Sequence, residues 1–248
     1  MSAQFPTEAS TVEHFRRNLA QVRARIGAAA ERVGRDPAGI RLLPVSKTVD
    51  EDRLRNAIAA GCHRLGENKV QEAKRKWQNL IDLDVEWSVV GHLQTNKARD
   101  VARFAAEFQA LDSIRLAEVL DRRLQAEGRS LDVFVQVNTS GEESKFGLEP
   151  GQTLGLLQEL QRFDTLRVQG LMTLAILSGE QDRVRACFQL LRELRDQASA
   201  EGLAGAGELS MGMSGDFETA IEEGATVVRV GQAIFGARPT PDSMYWPG

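Results

Sequence analysis

The chain has 248 residues, 42% hydrophobic and 27% charged, with 31 basic and 35 acidic residues for a net charge of −4. That composition suits a soluble globular protein with a real core, and the length suits one α/β barrel. The balance of charge argues against nucleic acid or a membrane surface as a global partner, and no window approaches the roughly 20 apolar residues of a membrane span.

The first element is a helix. Val12, Phe15, Leu19, Val22 and Ile26 recur at spacings of three and four, and Gly34 with Asp36-Pro37 stops the run. A strand–helix alternation follows. Candidate strands lie at 40–46, 63–66, 85–90, 107–111, 131–137, 165–170, 207–210 and 226–230, of which the second, fourth and seventh are short. Helical patterns lie between them at 51–60, 68–79, 95–104, 114–126, 152–161, 181–199 and 216–223. The segment "LDVFVQV" at 131–137 reads as a strand covered on both faces. Basic residues cluster at Lys69, Lys74, Arg75 and Lys76, and this stretch reads as a solvated helix face. Pro44 conflicts with a ladder strand, so it is expected at a bulge or a non-bonding position.

Eight strands alternating with helices, plus one helix in front, predict a closed (β/α)8 TIM barrel. No Pro- or Ser-rich linker divides the chain. It is expected to be one domain over 1–248, with an N-terminal helix at 8–33, a barrel at 40–238 and a tail at 239–248. Cys62 and Cys187 are far apart and form neither a disulfide framework nor a zinc signature. Residues 1–30 carry charges throughout and no apolar run, so no signal peptide is expected and the chain is expected to be cytoplasmic.

Functional groups of a barrel sit where a strand ends and its loop begins. Those positions are Ser46 and Lys47; Glu67 and Asn68; Gly91 and His92; Asp112; Asn138; Met172 and Thr173; "MGMSGD" at 211–216; and "RVGQ" at 229–232. Only three histidines occur, so a histidine metal centre is not expected. Met213, Ser214 and Gly215 precede a helix with Asp216 as its expected N-cap, and Gly231 precedes a short helix starting at Gln232. Such loops suit a phosphate, held by backbone N–H groups and a hydroxyl. Lys47 at the same mouth would suit a Schiff base with a phosphorylated aldehyde. Its amine normally titrates near 10.4, and partial burial with a second cation such as Arg229 nearby would free it.

The segments "VSKT" (45–48), "GEN" with "VQE" (66–72), "VGHLQTNK" (90–97), "VNTSGEESKFGL" (137–148), "GLMT" (170–173), "LSMGMSGDFETAI" (209–221) and "VRVGQAIFG" (228–236) resemble the pyridoxal phosphate homeostasis proteins, the YggS/PROSC family. The resemblance runs from about residue 10 to 238 with its motifs in order. It implies a barrel of the alanine racemase N-terminal type, with pyridoxal 5'-phosphate (PLP) held as a lysine aldimine. Lys47 matches the aldimine lysine and Asn68 a residue lining the ring. Ser214, Gly231 and Gln232 match the phosphate cradle, with Met213 beside them also expected to bind the cofactor; Arg229 matches the arginine facing the pyridine nitrogen, and Lys145 matches a loop lysine near the cofactor. Gln232 stands where the family usually has a small hydroxyl residue, and Ser88 where many members have histidine.

An arginine at the ring nitrogen disfavours its protonation and makes the ring a poorer electron sink. A racemase also needs a second base; the one tyrosine, Tyr245, is the fourth residue from the end, and no second domain is expected after the last strand. His92 is a possible base or a plain loop hydrogen-bonder. The leading expectation is a monomeric, non-catalytic PLP-binding protein in vitamin B6 and amino-acid homeostasis, with PLP-dependent apo-enzymes as the recipients it implies. The alternatives are a weak monomeric racemase or lyase, or a barrel for another phosphorylated metabolite.

Overall fold

The computed structural model describes residues 9–203, 205 and 207–237. Position 8 of the expected N-terminal helix, position 238, the expected tail and Tyr245 lie outside that range. The strands are β1 (Arg41–Pro44), β2 (Arg64–Glu67), β3 (Glu86–Val89), β4 (Glu107–Leu111), β5 (Leu131–Gln136), β6 (Leu166–Met172), β7 (Glu208–Ser210) and β8 (Val227–Val230). The helices are α1 (Val12–Arg32), α2 (Glu51–Ala59), α3 (Val70–Asn79), α4 (Ala98–Phe104), α5 (Ile114–Glu127), α6 (Thr153–Leu160), α7 (Gln181–Ala200), α8 (Phe217–Glu222) and α9 (Gln232–Phe235).

All eight strands are parallel in the order β1-β8-β7-β6-β5-β4-β3-β2. The ends of that order meet at a bridge between Val45 and Gly66, where the Ser46 N–H donates to the Gly66 carbonyl at 2.9 Å. The expected (β/α)8 barrel is therefore what forms.

Pro44 accounts for this thin seam. The N–H groups of Arg41 and Val45 point to the β8 side, donating to the carbonyls of Thr226 and Val230, and that of Ser46 donates to Gly66 on β2. Alternation along a strand then turns the Pro44 nitrogen toward β2, where it has no hydrogen to give. The proline thus sits on the side of β1 that pairs least, as its chemistry requires.

Helix α1 is capped by the Thr11 hydroxyl, which accepts the His14 N–H at 3.2 Å, and the chain leaves it through Gly34 at φ 66°. Its buried stripe of Phe15, Leu19, Val22 and Ile26 packs on α8 and α9. Asn18 donates to the Ile234 carbonyl at 2.9 Å, and Phe15 meets Phe235 edge-on at 5.7 Å. The front helix therefore holds the short helix α9 against the end of β8.

Between strands and helices the core is aromatic and aliphatic: Trp87, Phe108, Phe134, Phe188 and Phe217 are all fully buried. Each such side chain contributes about 1.5–3 kcal/mol relative to exposure.

One element departs from the sequence reading. Lys76 is not on a solvated face but 0% exposed, because α3 packs Ala73, Lys76 and Leu80 inward while Lys69 and Arg75 face outward.

Candidate functional site

The loops at the C-terminal ends of β1, β7 and β8 converge. β8 lies between β7 and β1, so the segments after these three strands are neighbours at the mouth. Val45, Lys47, Thr48, Gly231 and Gln232 line one small cavity there, with Arg53, Phe235 and Gly236 behind them. Lys47 itself is half-buried.

Ser214 is placed by a tight turn. The Met213 carbonyl accepts the N–H groups of Asp216 (3.1 Å) and Phe217 (2.9 Å). The Asp216 carboxylate accepts the Met213 N–H at 2.5 Å. Asp216 stands at the N-cap position of α8, but its carboxylate makes no cap bond to the helix, contrary to expectation. It turns back to close the turn instead. Burial raises its pKa, opposed by the Met213 hydrogen bond and the Arg229 charge.

The Ser214 hydroxyl then accepts the N–H of Gly231 at 3.2 Å and of Ala233 at 3.5 Å. A Cβ at position 231 would stand 3.1 Å from the Val45 carbonyl oxygen, so the bare backbone of glycine keeps this corner open. Asn68, after β2, is half-buried. Its carbonyl would lie 2.0 Å from a Cβ at Gly91, so strand ends two and three approach each other there only because residue 91 is glycine.

Arg229 lies on β8, 4% exposed, beneath the mouth. It donates to the Ser210 hydroxyl and to the Thr173 carbonyl, both at 2.7 Å. Burial lowers its pKa to about 10, against the pull of Asp216 and Glu107. It stays charged at neutral pH.

The partners of Arg229 continue across the lumen. Ser210 on β7 donates to Gln109 Oε1 on β4 at 2.7 Å, and Gln109 Nε2 donates to Glu107 Oε1 at 2.7 Å. Glu107 also accepts the Ser88 hydroxyl at 2.7 Å and Arg41 at 2.6 Å. A carboxylate accepts only, so it fixes the Gln109 amide, which in turn fixes the Ser210 hydroxyl with a lone pair toward Arg229. Burial raises the Glu107 pKa, but Arg41 and the hydrogen bonds outweigh it and hold the carboxyl below its ordinary value. The mouth cation is thus oriented from the barrel floor.

Two further residues singled out in the sequence are engaged elsewhere. Lys145 donates to the Ala175 carbonyl at 2.9 Å and pairs with Glu142 at 2.5 Å, tying the loops after β5 and β6 together. His92 lies 3.3 Å from Asp112 and stacks on Phe146 with ring centres 3.9 Å apart. Among the described residues no group of three His, Cys, Asp or Glu could hold a metal ion, and no helix is long and apolar enough to cross a membrane.

The structure brings Lys47, Met213, Ser214, Gly231 and Gln232 to one corner of the mouth, with Arg229 below it and Asn68 on the far side of β1. Sequence reasoning missed the Glu107–Gln109–Ser210 row, and it missed a buried cluster of Glu67, Glu72 and Lys76. For Lys76 a signal existed: positions 73, 76, 77 and 80 share one helix face, and the other three are apolar.

The donor set fits a phosphorylated aldehyde. The N–H groups of Gly231 and Ala233, which here donate to the Ser214 hydroxyl, are donors that a phosphate could take over, and a lysine amine lines the cavity beside Gly231. A permanent cation, hydrogen-bonded and buried, stands behind them.

Comparison with known proteins points the same way. The family model described as alanine racemase, N-terminal domain, matches residues 12–239. A protein of Aquifex aeolicus named pyridoxal phosphate homeostasis protein is 41% identical over 220 residues, covering 89% of this chain and 96% of that one. Among solved structures, an unknown protein from Bifidobacterium adolescentis superposes with a TM-score of 0.86 at 35% identity, covering 94% of this chain and 99% of that one. The PipY protein of Synechococcus elongatus, solved with PLP bound, superposes with a TM-score of 0.79 at 34% identity, covering 90% and 100%.

Proposed function

Because this chain belongs to the pyridoxal phosphate homeostasis protein family, built on the alanine racemase N-terminal domain, we propose that it binds PLP at the barrel mouth and serves vitamin B6 and amino-acid homeostasis without turning the cofactor over. The observation that carries this reading is the convergence of Lys47, Gly231 and Gln232 on one cavity, with Ser214 bound to the Gly231 N–H.

Bound PLP supplies an aldehyde that condenses with a primary amine, releasing water. The chain's own residues do the rest. Lys47 offers the amine. Ser214 and the backbone of Gly231 and Ala233 would hold the phosphate. Gln232 would flank it with an amide where the family usually has a hydroxyl. Arg229, charged and clamped by Ser210 and Thr173, would disfavour protonation of the ring nitrogen and so weaken the ring as an electron sink. Asn68 would line the ring.

The carrier reading is supported by the relatives, which are named for homeostasis and not for catalysis. Residues 1–248 act as one cofactor-holding unit. The chain works as a cytoplasmic monomer, and PLP-dependent apo-enzymes are its recipients. Incubation of the pure, PLP-loaded protein with each L-amino acid, followed by chiral and keto-acid analysis, should show no turnover. Steady-state conversion that Lys47→Ala abolishes would show an enzyme instead.

A further inference from the structure

Lys47 follows β1 on a turn that the backbone does not favour by itself. Thr48 has φ 66° and is the one non-glycine residue with positive φ among the described residues. For a β-branched residue that is a real outlier, held only where the surroundings over-determine it.

The surroundings here are a buried ion cluster. Lys76, 0% exposed, donates to the Ser46 carbonyl at 2.8 Å, to Glu67 Oε1 at 2.7 Å and to Glu72 Oε1 at 2.7 Å. An ammonium has three N–H bonds, and these contacts use all three. The Ser46 hydroxyl donates to the same Glu67 oxygen at 2.6 Å, and the Thr48 N–H donates to the same Glu72 oxygen at 2.8 Å. Both peptide groups flanking Lys47 are therefore anchored: the 46–47 carbonyl by Lys76 and the 47–48 N–H by Glu72.

We propose that Lys76, with Glu67 and Glu72, is the positioning device that aims Lys47 into the mouth cavity. Lys76 is a positioning residue and never meets the cofactor. Buried ion pairs often stabilise a fold no better than apolar packing does, so the retained charge is explained by what it orients. This inference rests on the reading of Lys47 as the PLP-bonding amine.

The test compares two ligands on the full chain. PLP uses both Lys47 and the phosphate cradle. Pyridoxamine 5'-phosphate has no aldehyde and uses the cradle and the ring contacts without bonding Lys47. Lys76→Met keeps the side-chain volume and removes the anchor; its PLP Kd should rise at least tenfold while its Kd for pyridoxamine 5'-phosphate stays within twofold of wild type. Glu72→Ala, at a half-buried site, releases the Thr48 N–H and one of the three Lys76 bonds while leaving the Ser46 carbonyl held, and should weaken PLP about threefold with the same selectivity; it decides the matter should Lys76→Met fail to fold. Thr48→Gly added to either variant should recover part of the loss, because glycine adopts positive φ without strain. Wild-type PLP binding in both variants, or equal losses for both ligands, would overturn the positioning role. Failure of wild-type protein to discriminate PLP from pyridoxamine 5'-phosphate, with no loss in Lys47→Ala, would instead overturn the reading of Lys47.

Discussion

Glu107→Gln is the most informative single substitution in the barrel floor. Glu107 is 2% exposed, and its two oxygens accept from Arg41, Ser88 and Gln109. Glutamine keeps one acceptor oxygen and turns the other position into a donor. If its NH2 faces Arg41, the charged bond is lost; if it faces Ser88 and Gln109, two neutral donors lose their acceptor. Arg41, partly exposed, can turn to water, so the unpaired cation itself costs little. A hydrogen bond to a charged group contributes about 1.5–3 kcal/mol, and an orphaned buried donor costs about 1–3 kcal/mol. The expected loss at pH 7 is therefore about 2–3 kcal/mol, or about 4–12 °C in Tm for a chain of this size.

The pH dependence follows from the direction of the shift. The folded pKa of Glu107 lies below its ordinary value. Its contribution is present above the unfolded pKa and is lost as pH falls through the folded one. Urea unfolding of wild type and variant at pH 7 and at pH 4 measures this. The gap should be largest at pH 7 and narrow on acidification. A difference below about 0.5 kcal/mol at pH 7, smaller than one typical hydrogen bond, would refute the account of the floor.

Three further predictions concern the mouth. Ser214→Ala should weaken PLP retention by about 0.5–1.5 kcal/mol, the worth of one neutral hydrogen bond, read by equilibrium dialysis. Gly91→Ala brings a methyl to 2.0 Å from the Asn68 carbonyl and must displace one loop; it should cost about 1–3 kcal/mol in chemical denaturation, as overpacking does. Burial raises the pKa of Glu67 to about 7 against the pull of Lys76. The folded state then binds an extra proton between the ordinary carboxylate range and pH 7, so this group's contribution is full below that range and is lost as pH rises through 7. Glu67→Gln should flatten that part of the stability–pH curve, and an unchanged slope would refute the assignment.

Much of this was legible from residue pattern alone. The alternation of candidate strands and helical stripes placed every strand within a residue or two, most legibly at β5, where a strand buried on both faces reads as an apolar run. Lys47, Ser214 and Gly231 were legible because barrel chemistry concentrates at strand ends. Glu107, Gln109 and Ser210 were not. Their contacts link β4 with β7, strands that are not neighbours in the sheet, and exist only once the barrel has closed. Lys76 was misjudged because a charge within a basic run suggests solvent, although its helical spacing put it on the buried face. Asp216 took its expected place before α8, but its carboxylate found a nearer N–H in its own turn. Pro44 makes sense only once the N–H of Ser46 is seen to face β2.

The central claim is that Lys47 is the one covalent anchor for PLP. Purified protein mixed with PLP should develop a near-visible absorbance band. Borohydride reduction followed by peptide mass spectrometry should place the adduct on Lys47, with neither band nor adduct in Lys47→Ala. A stable adduct on Lys145 or Lys97 instead, or PLP binding with no covalent adduct, would contradict the account.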